Sequence, residues 1–330
     1  MRPHRPWRSI LALAAAGLAL SAPGAAGQAA VDPSVAPRAA ALERRGDRPG
    51  AVEMLGRYLA TAPDDGRAWF ELGRFYLMDT RDWHLSGHHG EPSGSLYLDF
   101  AATALDQAVR LGIDSGAVPR AVVEMSRMVG LIEDDGWTRD RSLLTPVQPP
   151  ELPAFVLELG TNLLNSCPMN GVLATGSDLE AVAVWYGLFI AGRRSDLIPL
   201  LPELYRSDAR YRQRMAEALG VQGGLTMTQA LGKVRSRRAV CLSPLVDSSD
   251  APEGQWTASR LVRVSGPAGA GEPLPDGLSI TSLLSVERQG GLPWSHAVAS
   301  VYWLAARRNQ LLCAGILTQL GDRPQGACGQ

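Results

Sequence analysis

Between Ala51 and Tyr76 the chain keeps a spacing that suits paired helices and no strand. Ala51, Leu55 and Tyr58 stand four and three residues apart, one face of a helix, and Pro63 closes the element. Trp69, Leu72, Gly73 and Tyr76 then mark the face of the next helix. A strand would send alternate members of each set to opposite sides of a sheet. The small residues suit helix crossings, and the large ones fill the grooves between neighbouring hairpins.

This register resembles the tetratricopeptide repeat, a helix–turn–helix unit of about 34 residues. Residues 32–65 read as one unit, with Ala39 and Leu42 on its first helix and Gly46-Asp47 at its turn. A second unit opens at Gly66 and is interrupted. Its second helix is supplied by Ala101, Leu105 and Ala108, about sixteen residues later than the period allows. The extra segment, Thr80 to Ser95, reads as an insertion loop, and a loop of that length inside a compact unit is usually functional. It carries Trp83 and the His-x3-His-His set of His84, His88 and His89, three of the five histidines in the chain. Val118 to Ile132 supplies a third helix, completing a helical domain over 30–140. The resemblance implies a protein-binding surface, with Trp69, Tyr76, Trp83, His84, His88 and His89 as candidate contacts. The three histidines are also the candidate metal ligands, although Gly87 and Gly90 weaken any helix that would align them.

The first 29 residues read as a secretory signal: Arg2, Arg5 and Arg8, then eleven apolar residues from Ile10 to Leu20, then small residues. The apolar run is too short to span a bilayer, and no later run reaches that length. A periplasmic or secreted protein is expected, with no transmembrane segment after signal removal. The 32 basic and 33 acidic residues leave a net charge of −1, so nothing recommends nucleic acid as a partner. In an oxidising compartment Cys167, Cys241, Cys313 and Cys328 allow two disulfides in three pairings. Cys313 with Cys328 is the favoured pair because it would tie down the tail.

Four prolines in the twelve residues from Ser142 to Pro153 mark a linker, taken as 141–155. Beyond it, Val172–Thr175, Leu197–Leu201 and Ala239–Val246 are short apolar runs separated by helical stretches, Leu261–Val264 being a possible fourth. Strand, helix and strand in that order give parallel pairing with right-handed crossovers. The expected architecture is therefore α plus α/β: repeat-like hairpins, then a three- to four-stranded parallel layer over 156–266, then a helical segment and tail over 267–330. Ser207 is the expected N-cap of a helix running to Leu219.

Within this half, Asn165-Ser166-Cys167-Pro168, Val172 to Thr175, Trp185-Tyr186 and Arg194-Ser195-Asp196 together resemble the soluble segment of bacterial mannosyltransferase-like multi-pass membrane proteins, over about 160–212. The resemblance implies a fold. It does not imply glycosyl transfer, because the multi-pass region that would carry that chemistry has no counterpart in this sequence. Independently of it, Gly176, Ser177, Asp178 and Glu180 follow a predicted strand at a helix start, the edge where open α/β sheets hold ligands. Two acids there can hold a cation or a sugar hydroxyl; equally, they can cap the helix and complement its dipole.

The sequence has no nucleophile elbow, no His-Glu-x-x-His and no phosphate-binding glycine-lysine loop. No catalytic residue and no cofactor is assigned. The leading expectation is an exported, non-enzymatic scaffold or binding protein whose partner is a protein of the cell envelope. The alternatives are a carbohydrate- or metal-dependent site on Asp178 and Glu180, and a soluble subunit of a membrane assembly.

Overall fold

The computed structural model describes residues 31–85, 92–138, 146, 148–267 and 278–320. Two helices, α1 (Val35–Arg44) and α2 (Arg48–Leu59), form the first hairpin. Asp47 caps α2 by accepting from the Gly50 amide at 3.0 Å. Ala39 and Ala51, both fully buried, sit where the helices cross, and Leu55 and Leu59 fill the groove toward the next helix. The repeat residues are tied together as well as packed. The Tyr58 hydroxyl donates to Asp65 at 3.0 Å and accepts from the Asp32 amide at 2.8 Å. The Trp69 indole donates to the Pro63 carbonyl at 2.7 Å.

The second pair is α3 (Gly66–Leu85) and α4 (Pro92–Arg110). Gly73 lets them close: a Cβ there would lie 2.6 Å from Leu105 Cγ. The expected Thr80–Ser95 loop is largely helix, which corrects the sequence reading. Thr80 to Leu85 continue α3 and Pro92 already begins α4, so the interruption is absorbed mainly by lengthening both helices. His88 and His89, and with them the histidine cluster, lie outside the described residues.

Next comes α5 (Ala117–Asp135), longer than expected and apolar along one face. Val118, Val122, Met125, Val129 and Ile132 do not join the core of the hairpins. They belong to one continuous core with the second half of the chain.

After the proline-rich stretch, α6 (Ala154–Ser166) leads into β1 (Val172–Ala174). Then follow α7 (Asp178–Trp185), a π-turn (Tyr186–Ile190), β2 (Ile198–Leu200), α8 (Pro202–Ser207), α9 (Ala209–Leu219), α10 (Met227–Val234) and β3 (Val240–Leu242). The chain continues through β4 (Thr257–Ser259) and β5 (Val262–Ser265) to α11 (Thr281–Arg288), α12 (Ser295–Ala306) and α13 (Gln310–Leu320). The strand order is β2-β1-β3-β5-β4. β1 pairs in parallel with β2 and β3 as expected, and it is buried throughout. The sheet is mixed, however, because β5 joins β3 antiparallel and β4 pairs antiparallel with β5.

The cap of α9 is Asp208, not Ser207: its carboxylate accepts from the Tyr211 amide at 2.8 Å, while Ser207 ends α8. Cys167 and Cys241 form a disulfide that ties the end of α6 to β3 across 74 residues. Closing a loop of that length stabilises the fold by about 4 kcal/mol in the chain-entropy account. Cys313 is also disulfide-bonded; the expected partner, Cys328, lies outside the described residues. Among the described residues no helix is long and apolar enough to cross a membrane.

Candidate functional site

The carboxyl ends of the parallel strands face α3 and α5 across a cleft of about 1400 Å³. One wall comes from Leu77, Met78 and Arg81 on α3 and from Val122, Ser126 and Leu131 on α5. The other wall comes from the loops after β1, β2 and β3, represented by Thr175 to Asp178, Leu201 to Leu204 and Leu245 to Asp247. The later turns of α3, α5 and the sheet edge thus line one space, and the contact residues expected on the repeat are not among its lining.

The loop after β1 is held from beneath. Glu180 is fully buried. Its carboxylate accepts from the Gly176 amide at 2.8 Å, the Ser243 hydroxyl at 2.6 Å and the Leu245 amide at 3.4 Å. Burial raises its pKa above the ordinary 4.5, and these hydrogen bonds oppose the rise. Gly176 is needed for the close approach, since a Cβ would stand 2.1 Å from the Leu245 carbonyl carbon. Ser177 caps α7, its hydroxyl accepting from the Glu180 amide at 3.3 Å.

Asp178 instead points into the cleft, with its side chain 60% exposed. The enclosing walls still desolvate it, raising its pKa above the ordinary 3.8; Arg81 opposes the rise and Glu203 adds to it. Arg81 reaches across from α3, with its guanidinium 4.0 Å from Asp178 and ion-paired to Glu203 at the start of α8. Deeper in, Arg206 pairs with the buried Asp250. Thr175, 4% exposed, adds to the wall a hydroxyl that has no hydrogen-bond partner.

Gly176, Ser177 and Asp178 therefore line the cleft and Glu180 does not. Trp69 and Tyr76 also lie outside it. Trp69 packs in the hairpin core, and Tyr76 stacks with Tyr97 at 6.3 Å and meets Phe100 in a tilted contact at 5.3 Å. Trp83 and His84 fall in the last turn of α3. Among the described residues no group of three or more His, Cys, Asp or Glu is placed to hold a metal ion. Sequence reasoning missed Arg81, Glu203 and Thr175. Arg81 and Glu203 lie far apart in the chain and share no motif; only the raised density of charge after Leu201 hinted at the second.

The α/β motif that suggested a family has a structural job. Arg194 donates to the carbonyls of Leu164 at 2.8 Å, Cys167 at 2.9 Å and Pro168 at 3.1 Å, and it pairs with Asp196 at 2.9 Å. Asp196 in turn accepts from the Asn170 amide at 2.7 Å. These residues fasten the end of α6 to the start of β1, away from the cleft.

Comparison with known proteins returns one family: residues 36–75, spanning α1, α2 and half of α3, match the tetratricopeptide repeat model. No curated protein and no solved structure matches the chain, and the likeness of 160–212 to mannosyltransferase-like proteins gains no support. The chain thus carries a tetratricopeptide repeat at its start, joined to a mixed α/β unit.

Proposed function

We propose that this is an exported, non-enzymatic binding protein of the cell envelope that takes a segment of a partner protein into the cleft between its helical repeat and its sheet edge. One observation carries the reading: α3, which continues the helical repeat, α5 and the carboxyl ends of the parallel strands line the same space. Leu131 on α5 and Leu245 after β3 offer apolar surface there, 43% and 38% exposed. Helical repeats use such inner faces to bind protein, and open sheets hold ligands at that edge. The residues before Val31 and the Cys167–Cys241 disulfide support export to an oxidising compartment. The rival reading, a sugar or metal held jointly by Asp178 and Glu180, is disfavoured by the burial of Glu180.

Leu131→Arg places a long charged side chain in the cleft from an exposed position. Immobilised protein with this change should lose the envelope protein that the natural protein captures, with its melting temperature unchanged. Capture that survives Leu131→Arg would sink the reading.

A further inference from the structure

The charges in the cleft are unequal: four arginines and six aspartates or glutamates line it, and of the acids Asp134 is already paired with Arg210, which lies outside the lining, at 3.1 Å. Three of those arginines are already engaged, Arg74 with Glu71 at 2.8 Å, Arg127 with Glu124 at 2.6 Å, and Arg206 with Asp250. The fourth, Arg81, is shared between Glu203 and Asp178, whose side chains are 55% and 60% exposed. Two accessible carboxylates with one cation between them leave negative charge at the mouth of the sheet edge. Asp247, on the same rim, accepts from the Ser249 amide and hydroxyl at 2.8 and 2.9 Å and adds to that charge.

A second observation is independent of charge. The Thr175 hydroxyl is buried on this wall with its hydrogen bonds unmade, which a native interior rarely tolerates. The volume, about 1400 Å³, exceeds the roughly 300–1,000 Å³ typical of small-molecule sites, and Leu131 and Leu245 present apolar surface on facing walls.

We infer that the occupant is an extended polypeptide segment that presents a basic side chain, flanked by apolar residues, to Asp178 and Glu203, and that Arg81 is the intramolecular stand-in this side chain displaces. The inference rests on the cleft reading above and names the chemistry of its ligand. Exchange is easy because the ion pairs broken are half-exposed and individually weak. A guanidinium in the ligand would remake both of them.

The test uses fluorescence polarisation on the full chain with two pools of fluorescein-labelled peptides, random except for a central Leu-Arg-Leu or Leu-Glu-Leu. The Arg pool should bind at least about tenfold more tightly, a difference that two lost charge contacts readily produce. Combined Asp178→Asn and Glu203→Gln should abolish the preference. Arg81→Ala should tighten binding of the Arg pool several-fold by removing the competitor. Equal binding, binding of neither pool, preference for the Glu pool, or an Arg81→Ala change that weakens binding would each overturn the inference; preference for the Glu pool would mean that Arg81 itself reads an acidic ligand. If Leu131-dependent capture persists through any of these results, the cleft reading stands and only its ligand chemistry is wrong. If that capture fails too, both fall.

Discussion

Glu180 shows how one side chain sets the shape of the cleft without facing it. Its carboxylate gathers the loops after β1 and β3 onto a single acceptor group in a place closed to water. Glu180→Ala leaves the Gly176 and Leu245 amides without that acceptor and opens a cavity, and should destabilise the protein by about 3 kcal/mol in urea unfolding. The raised pKa also fixes the sign of a pH effect. A folded state that binds the proton more tightly than the unfolded chain gains stability from this group below the ordinary 4.5, and loses that gain as pH rises through the raised value. Glu180→Gln cannot titrate, so it should flatten that part of the stability curve. An unchanged slope in the variant would contradict the assignment. Sequence alone marks Glu180 as a cap or a ligand, because a helix-start acid looks the same in both roles until its burial is known.

At the scale of elements, the hairpins were the most legible part, since Trp69, Leu72, Gly73 and Tyr76 hold helix α3 to a known register. The same register misled where it broke. It treats late arrival of the next apolar set as a loop, whereas α3 simply continues to Leu85 and carries Arg81 to the cleft. Helix α6 was passed over for another reason: Phe155, Val156, Leu159, Leu163 and Leu164, all buried, keep helical spacing, but the linker was drawn through residue 155, over the first residues of the helix. Strand β4 was missed because Thr257-Ala258-Ser259 is short and largely exposed. The acidic C-terminus of α5, Glu133-Asp134-Asp135, is held by α9. Arg214 donates to the Glu133 carbonyl at 3.0 Å and the Asp134 carbonyl at 2.8 Å, and Arg210 pairs with Asp134 at 3.1 Å. A cation at a helix C-terminus with two charged hydrogen bonds is worth about 2 kcal/mol, so Arg214→Ala should lower the urea midpoint accordingly. No change in midpoint would mean that α5 is held by its apolar face alone.

At the scale of the molecule, α5 joins the two halves: Val118, Val122, Met125, Val129 and Ile132 share the core of the α/β unit, while Val123 packs with Leu98, Ala101, Ala102 and Leu105 on α4. The last repeat-side helix is built into the α/β unit, and the Trp294 indole, ahead of α12, donates to the Ser115 carbonyl at 3.1 Å on the repeat side. These contacts hold the two cleft walls in a fixed relation, which suits a receptor that binds without large rearrangement. Which residues meet across the cleft was not legible beforehand, because pairs such as Arg81 with Glu203 become neighbours only once both halves are folded. The most direct test of the central claim places a photo-crosslinking amino acid at Leu131 inside the cleft, and separately at Leu311, which is 88% exposed on α13. Irradiation of the protein in its native cells should yield a discrete crosslinked partner from position 131 and none from position 311. Adducts from position 311 alone would show that the partner docks elsewhere and that the cleft is not the binding site.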